Sequence, residues 1–464
     1  MAKQFVFGAV AIVGVAVGAA VVAPYFIGQS IEARFRAQVG ALDQRLGIPL
    51  RVAEYHRHWF SAEATIETMV DKQQITLHSD IRHGPLPGFN LATIDTRWAP
   101  DDLNITYDQA EPLLNARTEV GFSSSTTTSL HAAPFEGSGQ AADGKPVQVA
   151  WQGMDGELWT DDQQHLQLTS PGLRVRHDGV VQGFKDLSVQ AQGAQLPGEK
   201  IEELRARDLV GHSDIQFGQV FFQSPDTPQR ITFGAALKGR ATSSKANRWG
   251  FHTALTLHDL VLPNDQSSAS ALKVHELTLE TAIDALNAQQ LVALLSAVRP
   301  YQQQLAGASK AEVKRLNKQI GQMVIKRLPE VLTDDSALHI GLSSLATNRG
   351  SAAIDLTASL HSGSEQANPQ RVSGLASLVR RAFVEASAEV DKPLLQWLLA
   401  QSDDPTKGRR TLAGLAQKGL IDKQQAQFKS SFYMDSNTMR INGQKLPDRM
   451  RRLLLMSILA ASQH

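Results

Sequence analysis

The stretch "LKVHELTLETAI", residues 272–283, alternates apolar and polar side chains almost without a break. Successive side chains of a strand point to opposite faces, so this period of two predicts a strand with one buried face. Nine further stretches alternate in the same way between clusters of Gly, Pro, Asp, Asn and Ser: residues 64–70, 73–84, 92–100, 147–153, 156–162, 165–179, 186–198, 231–242 and 249–263. The sequence therefore predicts a long antiparallel β-rich region over residues 51–280.

A small pattern, a basic residue or His followed by an acid and a leucine, recurs in this region. It occurs at Lys185-Asp186-Leu187, Arg207-Asp208-Leu209, His258-Asp259-Leu260 and His275-Glu276-Leu277. The copies are unequally spaced, unlike the units of a solenoid, so they are only weak evidence for repeated β units.

From residue 281 the sequence favours a mixed region of helices and hairpins, 281–464. Helical periodicity covers 282–307, where Pro300 is expected to kink or divide the helix, and 309–332. The remaining predicted elements are strands at 337–346, 351–360 and 384–391, helices near 372–383, 393–401, 410–426 and 447–461, and a hairpin at 427–444. The predicted fold class is α+β.

The first residues predict a membrane anchor. From Phe5 to Ile27 the chain carries no charge, and about 20 apolar residues span a bilayer core of about 30 Å. A cleaved signal peptide, with small residues at Val21-Val22-Ala23, is the alternative, but the apolar run is longer than such peptides need. We expect a transmembrane helix over 1–28, an amphipathic stalk over 29–50, a cytoplasmic N-terminus and a body on the other side of the membrane.

Composition excludes several classes of function. Lys plus Arg and Asp plus Glu both number 46, so the net charge is zero and no basic footprint for nucleic acid is present. The chain has no cysteine, which excludes disulfides, thiolate metal sites and cysteine nucleophiles.

Four short pieces carry a resemblance to a known family: the N-terminal apolar segment, "YHRHWFSAE" at 55–63, "HGPLPG" at 83–88 and "MRINGQKLP" at 439–447. Together they resemble the YdgA-type family of bacterial membrane-anchored proteins of unassigned molecular function. The resemblance implies an inner-membrane anchor with a periplasmic body in a Gram-negative bacterium. It supplies no catalytic residue. Where the family pattern usually has glycine, this chain has His58.

Histidines are the only side chains of a catalytic type that gather closely in the sequence. His56 and His58, with His78 or His83 from a neighbouring strand, have the residue types of a zinc site. No HExxH or similar motif supports that reading, so a structural role is favoured and no metal or other cofactor is predicted.

Other enzyme signatures are weaker. "GHSDIQFG" at 211–218 sets a serine beside a histidine without GxSxG, and "GFSSSTTTS" at 121–129, a polar strand or loop, lacks the lysine of a phosphate loop. The Asp pairs at 101–102, 161–162, 334–335 and 403–404 lie in turn contexts, which favour caps over paired catalytic carboxylates. We predict no catalytic residues and a protein that is not an enzyme.

The predicted function is a non-enzymatic structural or interaction role in the cell envelope, with the inner membrane and an envelope protein or lipid as partners. The alternative is carriage of a lipid or other hydrophobic ligand along an apolar sheet groove, which rests on analogy between folds. What covers the apolar strand face distinguishes the two functions.

Overall fold

The computed structural model describes residues 50–58, 61–70, 73–83, 92–98, 105–107, 113–121, 125–140, 144–161, 163–194, 210–225, 227–244, 247–262, 271–305, 310–360, 381–402, 404–435, 437–447 and 449. The predicted anchor, stalk and final helix lie outside these residues, except for Leu50, Pro447 and Arg449. Among the helices that the structure describes, none has the length and apolar character needed to cross a membrane.

Antiparallel strands dominate the described residues, with four helices among them. The chain divides into two compact units, Met1–Lys200 with Gly211–Gly234 and Ile201–Val210 with Ala235–His464. This division falls within a strand, at a different place from the change in sequence pattern near residue 281.

Unit 1 contains thirteen described strands. They are β1 (Leu50–Arg57), β2 (Ser61–Val70), β3 (Gln73–His83), β4 (Ala92–Trp98), β5 (Ile105–Tyr107), β6 (Leu114–Val120), β7 (Thr126–Ala132), β8 (Phe135–Gln140), β9 (Pro146–Trp151), β10 (Met154–Thr160), β11 (Gln163–His177), β12 (Val180–Ala194) and β13 (Gly211–Ser224). The strand β14 (Thr227–Ser244) contains the boundary between the units.

Strand pairing in unit 1 follows the order β1, β2, β3, β4, β6, β7, β10, β11, β12, β13. The long strand β11 pairs with β10 over its first part and with β9 over its last, and β9 continues through β8 to β5. β11 thus joins two sets of strands.

One face of this unit is buried. Its cluster includes Leu77, Ile81 and Leu130, each 2% exposed or less, and Phe135 and Trp151 pack against it. The buried hydroxyls on this face pair with each other, Ser79 Oγ with Thr96 Oγ1 and Thr118 Oγ1 with Thr128 Oγ1, both at 2.9 Å. These pairs allow polar side chains to remain in an apolar layer.

The opposite face carries charged side chains in register across the strands. Glu63 of β2 lies opposite Asp80 of β3, which lies opposite Asp95 of β4. Like charges placed opposite each other are unfavourable. Arg82 and Arg97 offset them, because their guanidinium nitrogens lie 3.6 Å from Asp95 and 3.7 Å from Asp80 respectively.

Unit 2 is a second antiparallel arrangement with helices. Its strands are β15 (Arg248–Leu262), β16 (Leu272–Asn287), β17 (Ala337–Thr347), β18 (Gly350–Leu360), β19 (Ala382–Asp391), β20 (Asp422–Lys423), β21 (Gln427–Met434), β22 (Met439–Ile441) and β23 (Gln444–Lys445). Its helices are α1 (Ala288–Leu305), α2 (Lys310–Val331), α3 (Lys392–Ala400) and α4 (Pro405–Gln417). The pairing order is β15, β16, β17, β18, β19, β21, and β21 also pairs with β20 and with β22, which pairs with β23.

The structure corrects three predicted helix boundaries. Residues 282–287 extend β16, because pairing with β15 and β17 outweighs their helical periodicity, and α1 continues through Pro300 undivided. The predicted helix at 372–383 lies outside the described residues up to 380, while Ala382 and Phe383 belong to β19.

The predicted helix at 410–426 instead corresponds to α4, which starts at Pro405 and ends at Gln417. The amide of Gly419, at φ +69°, donates to the carbonyl of Ala416, and the amide of Leu420 donates to that of Leu415. This is the Schellman arrangement, in which glycine adopts the left-handed conformation that ends a helix.

The basic–acid–leucine pattern marks local irregularities in strands. Asp186 and Asp259 both have positive φ, 52° and 55°, and the register of β16 against β17 shifts between Val274 and Glu276. Aspartate is among the few residues that tolerate the left-handed region. The Arg207-Asp208-Leu209 copy lies outside the described residues.

Leu77→Ala is expected to destabilise unit 1 by about 2–5 kcal/mol, since it leaves a cavity in the buried face. The measurement is hydrogen exchange of the β2–β4 amides across a urea series. Phe222→Ala in β13 is the control, because Phe222 is 38% exposed, and we expect a change of about 0.5 kcal/mol. Equal losses for the two variants would contradict this account of the core.

Candidate ligand-binding surface

The predicted histidine cluster lies on strands β1 and β3. His56 and His78 share the charged face of unit 1 and are separated by the intervening strand β2. Neighbouring strands are about 4.8 Å apart, so the backbones of β1 and β3 lie about 10 Å apart.

The other members of the cluster do not complete a metal site in the structure. The Nε2 atom of His58 lies 3.9 Å from Glu63 Oε1, and that of His56 lies 3.5 Å from Glu54 Oε2. His83 pairs with Ala92 of β4. Among the residues that the structure describes, no group of three or more His, Asp or Glu side chains is placed to hold a metal ion.

The serine signatures are parts of ordinary strands. His212, Ser213 and Asp214 are consecutive in β13, so the serine faces the opposite side of the strand from the other two. The threonines of "GFSSSTTTS" begin β7, and Thr126 and Thr128 are buried. The sequence left this segment open as a polar strand or loop, and the structure shows a strand with hydroxyl residues at its first inward positions.

The Asp pair at 101–102 lies outside the described residues, as do Asp162 and Asp403. The described members of the other pairs act at turns and in ion pairs. Asp404 is the N-cap of α4 and accepts the amide of Lys407 at 2.8 Å. Asp161 accepts the amide of Gln163 at 2.8 Å, and this bond is the main reason that the pKa of Asp161 is lowered. Asp334 and Asp335 pair with Arg381 and Arg248.

The sheet of unit 2 has one apolar face, and its central part forms the candidate surface. Two rows of side chains cross β15 to β18 on this face, Leu255–Leu279–Leu342–Ile354 and Thr253–Thr281–Ile340–Leu356. The six aliphatic residues among them are called the apolar strip: Leu255, Leu279, Ile340, Leu342, Ile354 and Leu356.

Half of the apolar strip is open to solvent. Leu279, Ile340 and Ile354 are 42%, 43% and 47% exposed, and the other three members are partly buried. These residues come from three neighbouring strands, so their exposed surfaces adjoin each other. A contiguous exposed apolar surface of this kind typically marks a binding site.

Helices cover the same face at both ends of the strands. At one end α1 and α2 pack over Trp249, Ile283 and Leu286. At the other end α3 packs over a second cluster, which contains Leu277, Leu345 and Ala352 of the sheet with Leu394 and Trp397 of the helix. The apolar strip lies between these two helical walls.

Side-chain hydroxyls hold the α2 wall to the sheet. The Oγ1 atom of Thr333 and the Oγ atom of Ser336 both donate to the carbonyl oxygen of Ala285 in β16, at 2.7 and 3.0 Å. Ala285 has a positive φ of 57°, which is strained for a residue with a Cβ. The two hydroxyl bonds help to hold this conformation.

A carboxylate holds the α3 wall. Asp391, the last residue of β19, accepts from the Ser351 amide at 2.7 Å and from the Ser351 hydroxyl at 3.0 Å. The Ser351 amide is the main reason that the pKa of Asp391 is lowered, outweighing the opposing effect of burial. Asp391 directly precedes α3 and so fixes where this helix starts on the β17–β18 turn.

The opposite face of the sheet is polar. Thr256 Oγ1 lies 3.3 Å from Thr278 Oγ1, and His339 Nδ1 lies 3.5 Å from Asp355 Oδ2. No charged residue belongs to the two rows of the apolar face that contain the strip. The surface can therefore remove an apolar molecule from water, and its aliphatic side chains supply no nucleophile, acid or base.

A family model described as bacterial protein of unknown function (DUF945) matches residues 1–448. The chain belongs to this family. No curated protein and no solved structure matches it. The family description assigns no activity, so the candidate surface rests on geometry alone.

The structure locates functional candidates that sequence analysis left unnamed. Alternation placed Leu277, Leu279 and Ile283 on one face, but it cannot distinguish a covered position from an open one. Covered and open positions differ in whether a helix packs over them, and helix packing depends on contacts between residues far apart in the chain.

Asp391→Ala is expected to loosen α3 by about 1–2 kcal/mol, because the amide and hydroxyl of Ser351 lose a charged acceptor. Hydrogen exchange of residues 392–400 should rise about tenfold. Because folding lowers the pKa of Asp391, its contribution is present at neutral pH and is lost as the pH falls below about 4.

The control for this variant is Asp422→Asn, which changes a carboxylate whose one recorded side-chain partner is Gln424 at 3.4 Å. Its exchange at α3 should match the wild type. Unchanged exchange in Asp391→Ala, or an equal rise in the control, would exclude the proposed role of Asp391.

Proposed function

We propose that this protein is a membrane-tethered carrier of an acyl chain, which it holds on the apolar strip of unit 2. The observation that supports this function is that Leu279, Ile340 and Ile354 form an exposed aliphatic surface between two helical walls. The proposal is non-enzymatic, because a surface of aliphatic side chains binds without chemistry.

The length of the surface supports an acyl chain as the occupant. The strip and its continuation through Ala388 and Ala386 cross five strands, β15 to β19. Four steps of about 4.8 Å give a length of about 19 Å. One leaflet contributes about half of the 30 Å hydrocarbon core of a bilayer, or about 15 Å, so one extended acyl chain fits along the strip.

The spacing of the two helical walls disfavours a protein partner with a flat surface. Leu277 and Ile283, which lie under opposite walls, are six residues apart along β16, or about 20 Å. A helix with its side chains extends about 5 Å from its axis, so the gap between the walls is about 10 Å. A second sheet needs a broad open face to pack, whereas an acyl chain needs only a narrow channel.

The energetics are adequate for reversible carriage. Each buried CH₂ contributes about 0.8 kcal/mol, so ten of them give about 8 kcal/mol before the entropic costs of binding. A carrier must also release its ligand. An open channel with one exposed side suits this requirement better than a closed cavity.

Location is part of the proposal. The uncharged segment Phe5–Ile27 has the length and composition of a transmembrane helix, and the YdgA-type resemblance implies a periplasmic body anchored in the inner membrane. Such a tether would hold unit 2 beside a source of acyl chains.

The alternative function is the structural or interaction role in the cell envelope. It predicts a strip that binds an envelope protein and carries no lipid. The occupant of the strip therefore decides between the two functions.

The deciding experiment is native mass spectrometry of the full chain purified from bacterial envelopes in mild detergent. We expect a stoichiometric lipid adduct in the wild type. The double variant Leu279→Thr/Ile354→Thr should show an adduct signal about tenfold smaller than that of the wild type, because two aliphatic contacts with the ligand are lost. Threonine keeps high strand propensity, so the sheet itself should be retained.

The matched control is Phe222→Thr, which changes an exposed apolar residue of β13 in unit 1. Its adduct should equal that of the wild type. Because the replaced strip residues are already exposed, thermal unfolding should change by no more than about 0.5 kcal/mol per site. A bare polypeptide mass in the wild type would reject carriage and favour the interaction role.

A further inference from the structure

The first apolar row becomes polar toward one edge of the sheet. From β15 to β18 the first row is Leu255, Leu279, Leu342 and Ile354, and it then continues through Ala388 of β19 to Ser430 of β21. The side chains thus become smaller and then polar. An amphiphile lying along this row would place its chain over β15–β18 and its polar end near β21.

Two lysines lie at this polar edge. Lys423 of β20 pairs opposite Phe428 of β21, which lies opposite Val390 of β19. Paired residues of neighbouring strands project to the same face, so Lys423 lies on the face that carries the apolar strip. Among the described residues, no ion pair of Lys423 is recorded.

Lys392 approaches the same aromatic ring from α3. Its ammonium lies 5.9 Å from the centroid of the Phe428 ring and donates to the carbonyl oxygen of Gln425. An ammonium has three N–H donors, so this bond leaves further donors on Lys392. Phe428 therefore has the Lys392 ammonium near its ring and Lys423 opposite it in the strand register.

The carboxylates near these lysines are engaged elsewhere. Asp391 accepts from Ser351, Glu389 pairs with Lys429 at 2.9 Å, and Asp422 accepts from Gln424 at 3.4 Å. The Lys429–Glu389 pair belongs to the opposite face of the sheet, because its residues alternate with Phe428 and Val390. In the part of the chain that the structure describes, none of these three carboxylates forms an ion pair with Lys392 or Lys423.

We infer that the carried molecule is an anionic amphiphile whose carboxylate or phosphate lies at Lys392 and Lys423, with its chain on the apolar strip. This inference rests on the proposed function and adds the charge of the headgroup and its position. Charge attraction at an exposed site adds selectivity to an affinity that chain burial supplies.

The test uses the full chain and four ligands with the same sixteen-carbon chain length. They are palmitate, palmitoyl lysophosphatidylglycerol, neutral monopalmitin and hexadecyltrimethylammonium, each competing below its micelle concentration against a neutral fluorescent sixteen-carbon probe. We expect the two anionic ligands to bind about tenfold more tightly than monopalmitin, and the cationic ligand to bind more weakly. Added salt should reduce only the preference for anions.

The variants locate the headgroup. Lys392→Gln/Lys423→Gln should abolish the preference for anions and leave monopalmitin affinity unchanged within about twofold. Lys423→Gln alone, which leaves α3 intact, should lower the ratio of anionic to neutral ligand affinity about threefold. Lys429→Gln is the control, since Lys429 belongs to the polar face, and its preference should equal that of the wild type.

The outcomes are separable. A stronger preference for palmitate or for the lysophospholipid identifies a carboxylate or a phosphate as the natural headgroup. Equal affinity for anionic and neutral ligands overturns the headgroup site and leaves the carrier function standing. Failure of all four ligands to compete rejects the carrier function and this inference with it.

Discussion

An antiparallel sheet with one apolar face must have that face covered, and in unit 2 the helices that the structure describes leave part of it uncovered. Each strand from β15 to β18 presents aliphatic side chains to the same side, and α1, α2 and α3 pack over the ends of the strands. The central rows are left with Leu279, Ile340 and Ile354 exposed. Open aliphatic surface is unfavourable in water, so this arrangement is stable in isolation only because the two walls bury the remaining rows.

Unit 1 also has a sheet with one apolar face, but it buries that face with other strands. Its apolar face forms one cluster in which Leu77 and Ile81 are almost fully buried, and Phe135 and Trp151 pack against that cluster from β8 and β9. The branching of pairing at β11 brings these strands to the cluster. Two units with similar alternating sequences therefore reach different outcomes, and the difference comes from which elements pack on the apolar face.

Many of the strands can be predicted from the sequence, because the alternation of apolar and polar residues and the turn residues act within a few positions of the chain. The predicted strands at 64–70, 249–263 and 351–360 fall within β2, β15 and β18 apart from the terminal Pro263. The errors have local or tertiary causes. Gly419 ends α4 through its left-handed conformation, a signal present in the sequence, whereas the extension of β16 to Asn287 depends on pairing with two distant strands.

The candidate surface was not predictable in the same way. Leu77 and Leu279 both occupy apolar positions of alternating strands, yet the first is 1% exposed and the second 42%. The alternating pattern shows which face of the sheet each residue belongs to. Whether a helix covers that residue depends on how the helices pack on the sheet.

The walls and the strip are physically coupled, because the same side chains that position α3 also bound the site. Asp391 ends β19, binds Ser351 on the β17–β18 turn and precedes Lys392, whose ammonium lies over Phe428. A change in the hydrogen bonds of Asp391 therefore moves the start of α3 and, with it, one of the two lysines at the polar edge. Docking of α3 and the position of Lys392 therefore depend on one short segment. In the proposed carrier, loosening this segment would widen the channel and weaken the proposed anion site together.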